Sequence, residues 1–119
     1  MADLTLWHNQ RCSKSRGACE LLTEAGVDFT ERRYLDDPPT AAELDAVLGA
    51  LGMEPWELAR MGEQVAKDLD LASLPHDRDR WLEVMAANPI LIERPILLTG
   101  DGRAVVGRPP EKVRELLEG

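Results

Sequence analysis

Apolar and polar positions alternate briefly at the start of this chain before a longer period takes over. From Leu4 to His8, Leu4 and Leu6 interleave with Thr5 and Trp7, the two-residue period of a short strand. A polar turn, "NQRCSKS", follows. Ala18, Leu21, Leu22 and Ala25 then recur at helical spacing within "SRGACELLTEAG", and Gly26 supplies a helix stop. "DFTERRYL", Asp28 to Leu35, is rich in strand formers and ends at "DDPP", where Pro38 and Pro39 punctuate. The pattern predicts a β-α-β opening with parallel strands and a right-handed crossover.

The middle of the chain reads as helical. Thr40 and Glu43 form a capping box ahead of Leu44, Val47, Leu48 and Leu51. Pro55 opens a second short helix, "PWELARMG", which is expected to carry Arg60, and "EQVAKDLDLA" adds another turn or two. Trp81, Leu82, Met85 and Ala86 share one face of "DRDRWLEVMAAN". Strand character returns in "PILLT" and "AVVG", joined by the hairpin turn "GDGR". "PPEKVRELLEG" closes as a helix, with Pro109 or Pro110 in its first turn and Val113, Leu116 and Leu117 inward. The order is β-α-β, a helical block, then β-β-α, with no internal repeat. Each βα half is too short to stand alone. Residues 1–119 are therefore expected to be a single α/β domain with a helical insertion at about 40–88.

Composition narrows the setting. A chain of 119 residues, 44% hydrophobic and 30% charged, suits one globular core. Its apolar runs fall far short of the ~20 residues that span a membrane. "MADLTLWHNQ" has neither the basic start nor the apolar core of a secretory signal. Two cysteines do not make a disulfide framework, so a cytoplasmic location is expected. The net charge of −8 argues against a nucleic-acid partner. It also disfavours small anions, so an oxyanion site would need its own cluster of arginines.

Cys12 stands at the boundary between strand and helix. Helix N-terminal N–H groups favour a thiolate there, and Arg11, Lys14 and Arg16 add positive charge. A low-pKa thiolate serves both redox and covalent catalysis. Cys19, among apolar helix positions, reads instead as a small buried hydrophobe. A phosphatase loop would place arginine six positions after the cysteine, but position 18 is alanine and Arg16 comes only four on. A dithiol motif would need cysteine where Ser15 stands. Along a helix Cys12 and Cys19 lie about 10.5 Å apart, too far for a disulfide, whose Cα atoms sit about 4.4–6.8 Å apart. Cys12 thus reads as a nucleophile without a resolving partner nearby, its second thiol expected from outside; the rival reading is that the first helical turn unwinds and Cys19 resolves the adduct. His8, four residues before Cys12, either tunes the thiolate or makes a structural hydrogen bond, and His76 reads as solvent-exposed. No His/Cys/Asp/Glu group has metal-ligand spacing, so no metal is expected. "TGDGR" reads as a turn rather than a phosphate loop.

"HNQRCSKSR", "YLDDPPT", the isolated Arg60, "NPILIERPILL" and "GRPPEKV" occur in an order that resembles the glutaredoxin-linked arsenate reductase family, the ArsC-like proteins. The similarity runs from about Leu4 to Leu117. It implies a thioredoxin-like mixed sheet with a helical insertion, in agreement with the element order. It further implies that Cys12 attacks arsenate or a similar oxyanion and that Arg60, Arg94 and Arg108 hold that anion. His8, Asn9, Ser15 and Arg16 would support the cysteine, and Pro95 would follow a cis peptide bond beside it. No cofactor is expected to stay bound. Glutathione is the implied co-substrate and glutaredoxin the implied protein partner. Guanidinium forks suit this task because they bind oxyanions bidentately and keep their charge. Arg94 also lies between Ile90–Ile92 and Pro95–Leu98, an apolar run in which a charge needs a partner. Two departures stand out: Gln10 replaces a proline usual in the cysteine loop, and Met61–Gly62 replaces a more polar pair. Two other readings are open. One is a glutathione-dependent thiol reductase of the same family that does not act on arsenate. The other is a redox-sensing regulator that binds RNA polymerase, a branch that typically carries Cys-x-x-Cys, against which Ser15 counts.

Overall fold

The computed structural model describes residues 4–108 and 110–118, the last two by their backbone alone. The elements run β1 (Leu4–Trp7), α1 (Ser13–Glu24), β2 (Thr30–Arg32), α2 (Ala41–Leu51), α3 (Pro55–Leu58), α4 (Gln64–Asp68), α5 (Arg78–Ala87), β3 (Ile96–Thr99), β4 (Ala104–Val106) and α6 (Arg114–Glu118). Short 3₁₀ turns lie at Leu71–Ser73, Pro89–Leu91 and Pro110–Val113. The chain divides into two compact units, residues 1–37 with 94–119, and residues 38–93.

The first unit is built on a mixed sheet in the order β2-β1-β3-β4. β1 runs parallel to β2 and antiparallel to β3, and β3 and β4 form the expected hairpin. Leu6 and Leu97 are direct cross-strand partners, and both are buried with Ala18 and Leu22 of α1 and with Val113. Burying each such leucine contributes roughly 1.5–3 kcal/mol, so this layer fixes how α1 lies on the sheet. α1 ends where expected, with Gly26 in the left-handed region at φ 72°. β2 is shorter than the sequence pattern suggests. A turn begins at Arg33, whose carbonyl accepts from the N–H groups of Asp36 and Asp37, so the ladder stops at Arg32. Trp7 is buried, with the Arg32 guanidinium 5.4 Å above its ring and Tyr34 6.4 Å away. The closing segment starts as a 3₁₀ turn, with Val113 buried and Leu116 half-buried. Pro109 and the side chain of Leu117 lie outside the described residues.

The second unit is the helical block. The Thr40–Glu43 capping box is present in both directions, at 3.1 Å and 3.0 Å. Leu44, Val47 and Leu48 are buried, as are Trp81, Leu82 and Met85 of α5. His76 is exposed as expected, yet its ring stacks on Trp56 at 4.2 Å, and Trp81 meets Trp56 edge-on. One expectation fails here. Arg60 is not on the short helix, because α3 ends at Leu58 and Ala59 turns extended to bridge Ile92. No helix among the described residues is long and apolar enough to cross a membrane.

Candidate active site

The loop between β1 and α1 is held by main-chain and side-chain bonds that its own sequence supplies. The His8 N–H donates to the Arg32 carbonyl at 2.8 Å, extending the β1–β2 ladder by one residue. The chain then turns, with the Cys12 N–H on the Asn9 carbonyl at 2.9 Å and the Arg11 N–H on Asn9 Oδ1 at 3.0 Å. Asn9 thus makes the side-chain-to-backbone turn typical of its residue type. Ser15 completes the loop from inside the helix. It is fully buried, and its Oγ accepts the Asn9 N–H at 3.0 Å and joins His8 Nδ1 at 2.8 Å. Outside, Arg16 donates to the Gln10 carbonyl at 3.2 Å. The position where a dithiol pair would have its second cysteine is therefore occupied by a hydroxyl that fastens the loop.

Cys12 is the N-cap residue of α1, extended at φ −98° and ψ 123°. Its neutral thiol makes no capping bond of ordinary geometry. The anion fares differently. Burial pushes the Cys12 thiol up, but the Ser15 N–H, the Arg94 side chain and the Lys14 N–H together outweigh burial and bring it below the ordinary thiol value. The side-chain cation among these causes is Arg94, and Lys14 acts through its backbone. Burial also holds His8 below the ordinary imidazole value, with Glu31 opposing and Arg33 adding to the effect. His8 is 4% exposed and bonds Ser15, not the sulfur.

Arg94 is 9% exposed and precedes a cis peptide bond to Pro95. The Pro95 carbonyl accepts the Gly107 N–H at 2.8 Å, and Arg108 Nη1 donates to the Arg94 carbonyl at 3.2 Å. The segments before β3 and after β4 are thereby tied together, and Cys12, Arg94, Pro95 and Arg108 all belong to the first unit. Arg60 belongs to the second. There its Nη1 donates to Glu93 at 2.7 Å, its Nε to Glu63 at 3.2 Å, and its N–H to the Leu91 carbonyl at 2.7 Å. Sequence reasoning did not foresee these carboxylates, although Glu63 at the i+3 position was a visible signal.

It also missed a cluster. His8, Cys19 and Glu31 bring three possible metal-ligand atoms within 4.8 Å of one another. Their spacing along the chain matches no ligand motif, and only the parallel β1–β2 register and the lie of α1 assemble them.

The chain matches the model of the ArsC family over residues 7–116. A Streptomyces viridochromogenes protein described as uncharacterised, in the glnII region, is 45% identical over 117 residues, covering 96% of this chain and 98% of that one. An arsenate reductase of Neisseria meningitidis is 39% identical over 118 residues, covering 98% and 100%. The arsenate reductase from Vibrio cholerae superposes with a TM-score of 0.90 at 36% identity, covering 96% of this chain and 97% of that one.

Proposed function

The chain belongs to the ArsC family, with its thioredoxin-like fold, and from that premise we propose that it is a thiol-dependent arsenate reductase with Cys12 as nucleophile. The observation that carries this reading is Cys12 itself, held at a helix N-terminus beside buried Arg94 with its thiol drawn toward the anion. A thiolate attacking an anion faces charge repulsion, and guanidinium groups offset it. Arg94 and Arg108 are the proposed anion holders in the first unit. Arg60 is the third on the strength of the family resemblance, and an oxyanion bound to it would compete with Glu63 and Glu93.

The proposed chemistry balances in three steps. Cys12 Sγ bonds to arsenic(V), and one arsenate oxygen leaves as water. A glutathione thiolate then attacks Sγ, forming a sulfur–sulfur bond. The electron pair of the S–As bond stays on arsenic, which leaves as arsenite. A glutaredoxin thiol finally attacks the glutathione sulfur of that mixed disulfide and returns the Cys12 thiolate. The cytoplasm, whose glutathione pool keeps such thiols reduced, is the proposed location.

Arsenate-dependent oxidation of NADPH in the presence of glutathione, glutathione reductase and glutaredoxin tests the reading. Turnover is expected in the wild type, lost in Cys12→Ser and largely kept in Cys19→Ser. Thiol–disulfide exchange that proceeds without arsenate and is not stimulated by it would assign the protein to the thiol-reductase branch instead.

A further inference from the structure

We propose that His8, Cys19 and Glu31 form a binding site for a divalent cation of borderline softness, Zn(II) by ligand chemistry, separate from the thiol at Cys12. The three donor atoms lie within 4.8 Å of one another, and His8 Nε2 is 3.8 Å from Glu31 Oε1. Tetrahedral zinc with bonds of about 2.0–2.3 Å holds its ligand atoms roughly 3.3–3.8 Å apart, so closure needs a contraction of only about 1 Å. Three protein ligands leave the fourth position to water. A nitrogen, a sulfur and a carboxylate oxygen suit zinc better than the harder cations, which prefer oxygen throughout.

The His8 ring is oriented for this role. Nδ1 engages the buried Ser15 Oγ, which places Nε2 toward Glu31. With the proton on Nδ1, Ser15 Oγ accepts from both His8 and the Asn9 N–H, and Nε2 presents a lone pair to the thiol and the carboxylate. Such an orienting bond on the second ring nitrogen is what a ligating histidine ordinarily has. The 3.8 Å separation is too long for a hydrogen bond, so Nε2 and Glu31 do not serve each other as donor and acceptor. A cation entering the site displaces the Cys19 proton to solvent and satisfies all three groups. Two cations oppose it: Arg33 donates to Glu31 Oε1 at 2.9 Å, and both Arg33 and Arg16 act on His8. The site therefore loads as free metal rises, and does not hold a permanent ion. The inference stands apart from the arsenate reading, because none of its ligands is the nucleophile.

Titration of Cys12→Ser protein with Co(II) tests it, since Cys19 is then the remaining thiol. One equivalent is expected to produce a thiolate-to-cobalt charge-transfer band with tetrahedral d–d bands, and Zn(II) is expected to bleach both. The band should vanish in Cys12→Ser/Cys19→Ala. Glu31→Gln, an exposed change on edge strand β2, should weaken Co(II) binding by at least about tenfold, the smaller effect seen even for outer-shell partners. Circular dichroism confirms that each variant is folded. Absence of the band, its survival without Cys19, or affinity unchanged in folded Glu31→Gln protein would overturn the proposal.

Discussion

Ser15 Oγ joins His8 Nδ1 and the Asn9 N–H, so the side chain three residues after Cys12 is consumed in holding the loop, while its own N–H favours the thiolate. The Cys12 thiol lies below the ordinary thiol value, and its alkylation rate plotted against pH should have its midpoint below that of a free thiol, about 8.5. The stability consequence has a definite sign. Between the folded and unfolded values the unfolded chain binds more protons, so this contribution is complete above the unfolded value and lost as pH falls through the folded one. Urea unfolding should accordingly show wild type gaining on Cys12→Ala as pH rises across that window; no pH-dependent difference would refute it. Arg94→Lys keeps one charge and loses the planar fork. Turnover is expected to fall at least about a hundredfold, in line with the loss of one oxyanion-stabilising donor, with an unchanged circular dichroism spectrum. Near-normal activity would remove Arg94 from the proposed anion site. At this scale the nucleophile was legible, because a cysteine at a strand–helix boundary is a local pattern. Its cation was legible only through the family resemblance, which implies Arg94 at the same site. Arg11, Lys14 and Arg16 are near Cys12 in sequence, but the guanidinium that acts on it comes from residue 94, which no local pattern places there.

The elements follow the hydrophobic period wherever a cap or turn residue closes it. α2 begins at the Thr40–Glu43 box, and the β3–β4 hairpin turns through Gly102 at φ 90°. The errors are elements that end before the residue that punctuates them, Pro38 after "DFTERRYL" and Gly62 in "PWELARMG". "DFTERRYL" keeps strand composition to Leu35, yet the hydrogen bonds of a turn take over at Arg33. Arg60 left its expected helix because the Ala59–Ile92 bridge competes for the backbone, and a bridge across more than thirty residues leaves no local signature. Gly107 shows how tightly the elements around Pro95 fit. A Cβ there would sit 2.9 Å from Pro95 Cγ and 3.0 Å from Val113 Cγ1. Gly107→Ala should destabilise the protein by about 1–3 kcal/mol, the usual cost of overpacking. Turnover should fall as well, because relief by shifting Pro95 also moves Arg94. An unchanged urea midpoint would show that the neighbours yield without cost.

Across the whole chain, a helical block placed between the β-α-β and β-β-α halves was legible from element order, and the second unit, residues 38–93, contains it. The grouping of His8, Cys19 and Glu31 was not, because it depends on strand register and helix placement together. The indoles have a consequence of another kind. Trp7 lies in the first unit under Arg32, whereas Trp56 and Trp81 lie in the second beside His76. Intrinsic fluorescence can therefore be assigned by unit. In Trp7→Phe protein all tryptophan emission arises from the helical block, while far-UV ellipticity still averages over the whole chain. If the block is an insertion within one cooperative domain, the two signals from that protein should trace a single urea transition with one midpoint. Emission that changes ahead of ellipticity would mean the helical block melts by itself, and the chain would then carry an optical reporter for that partial opening.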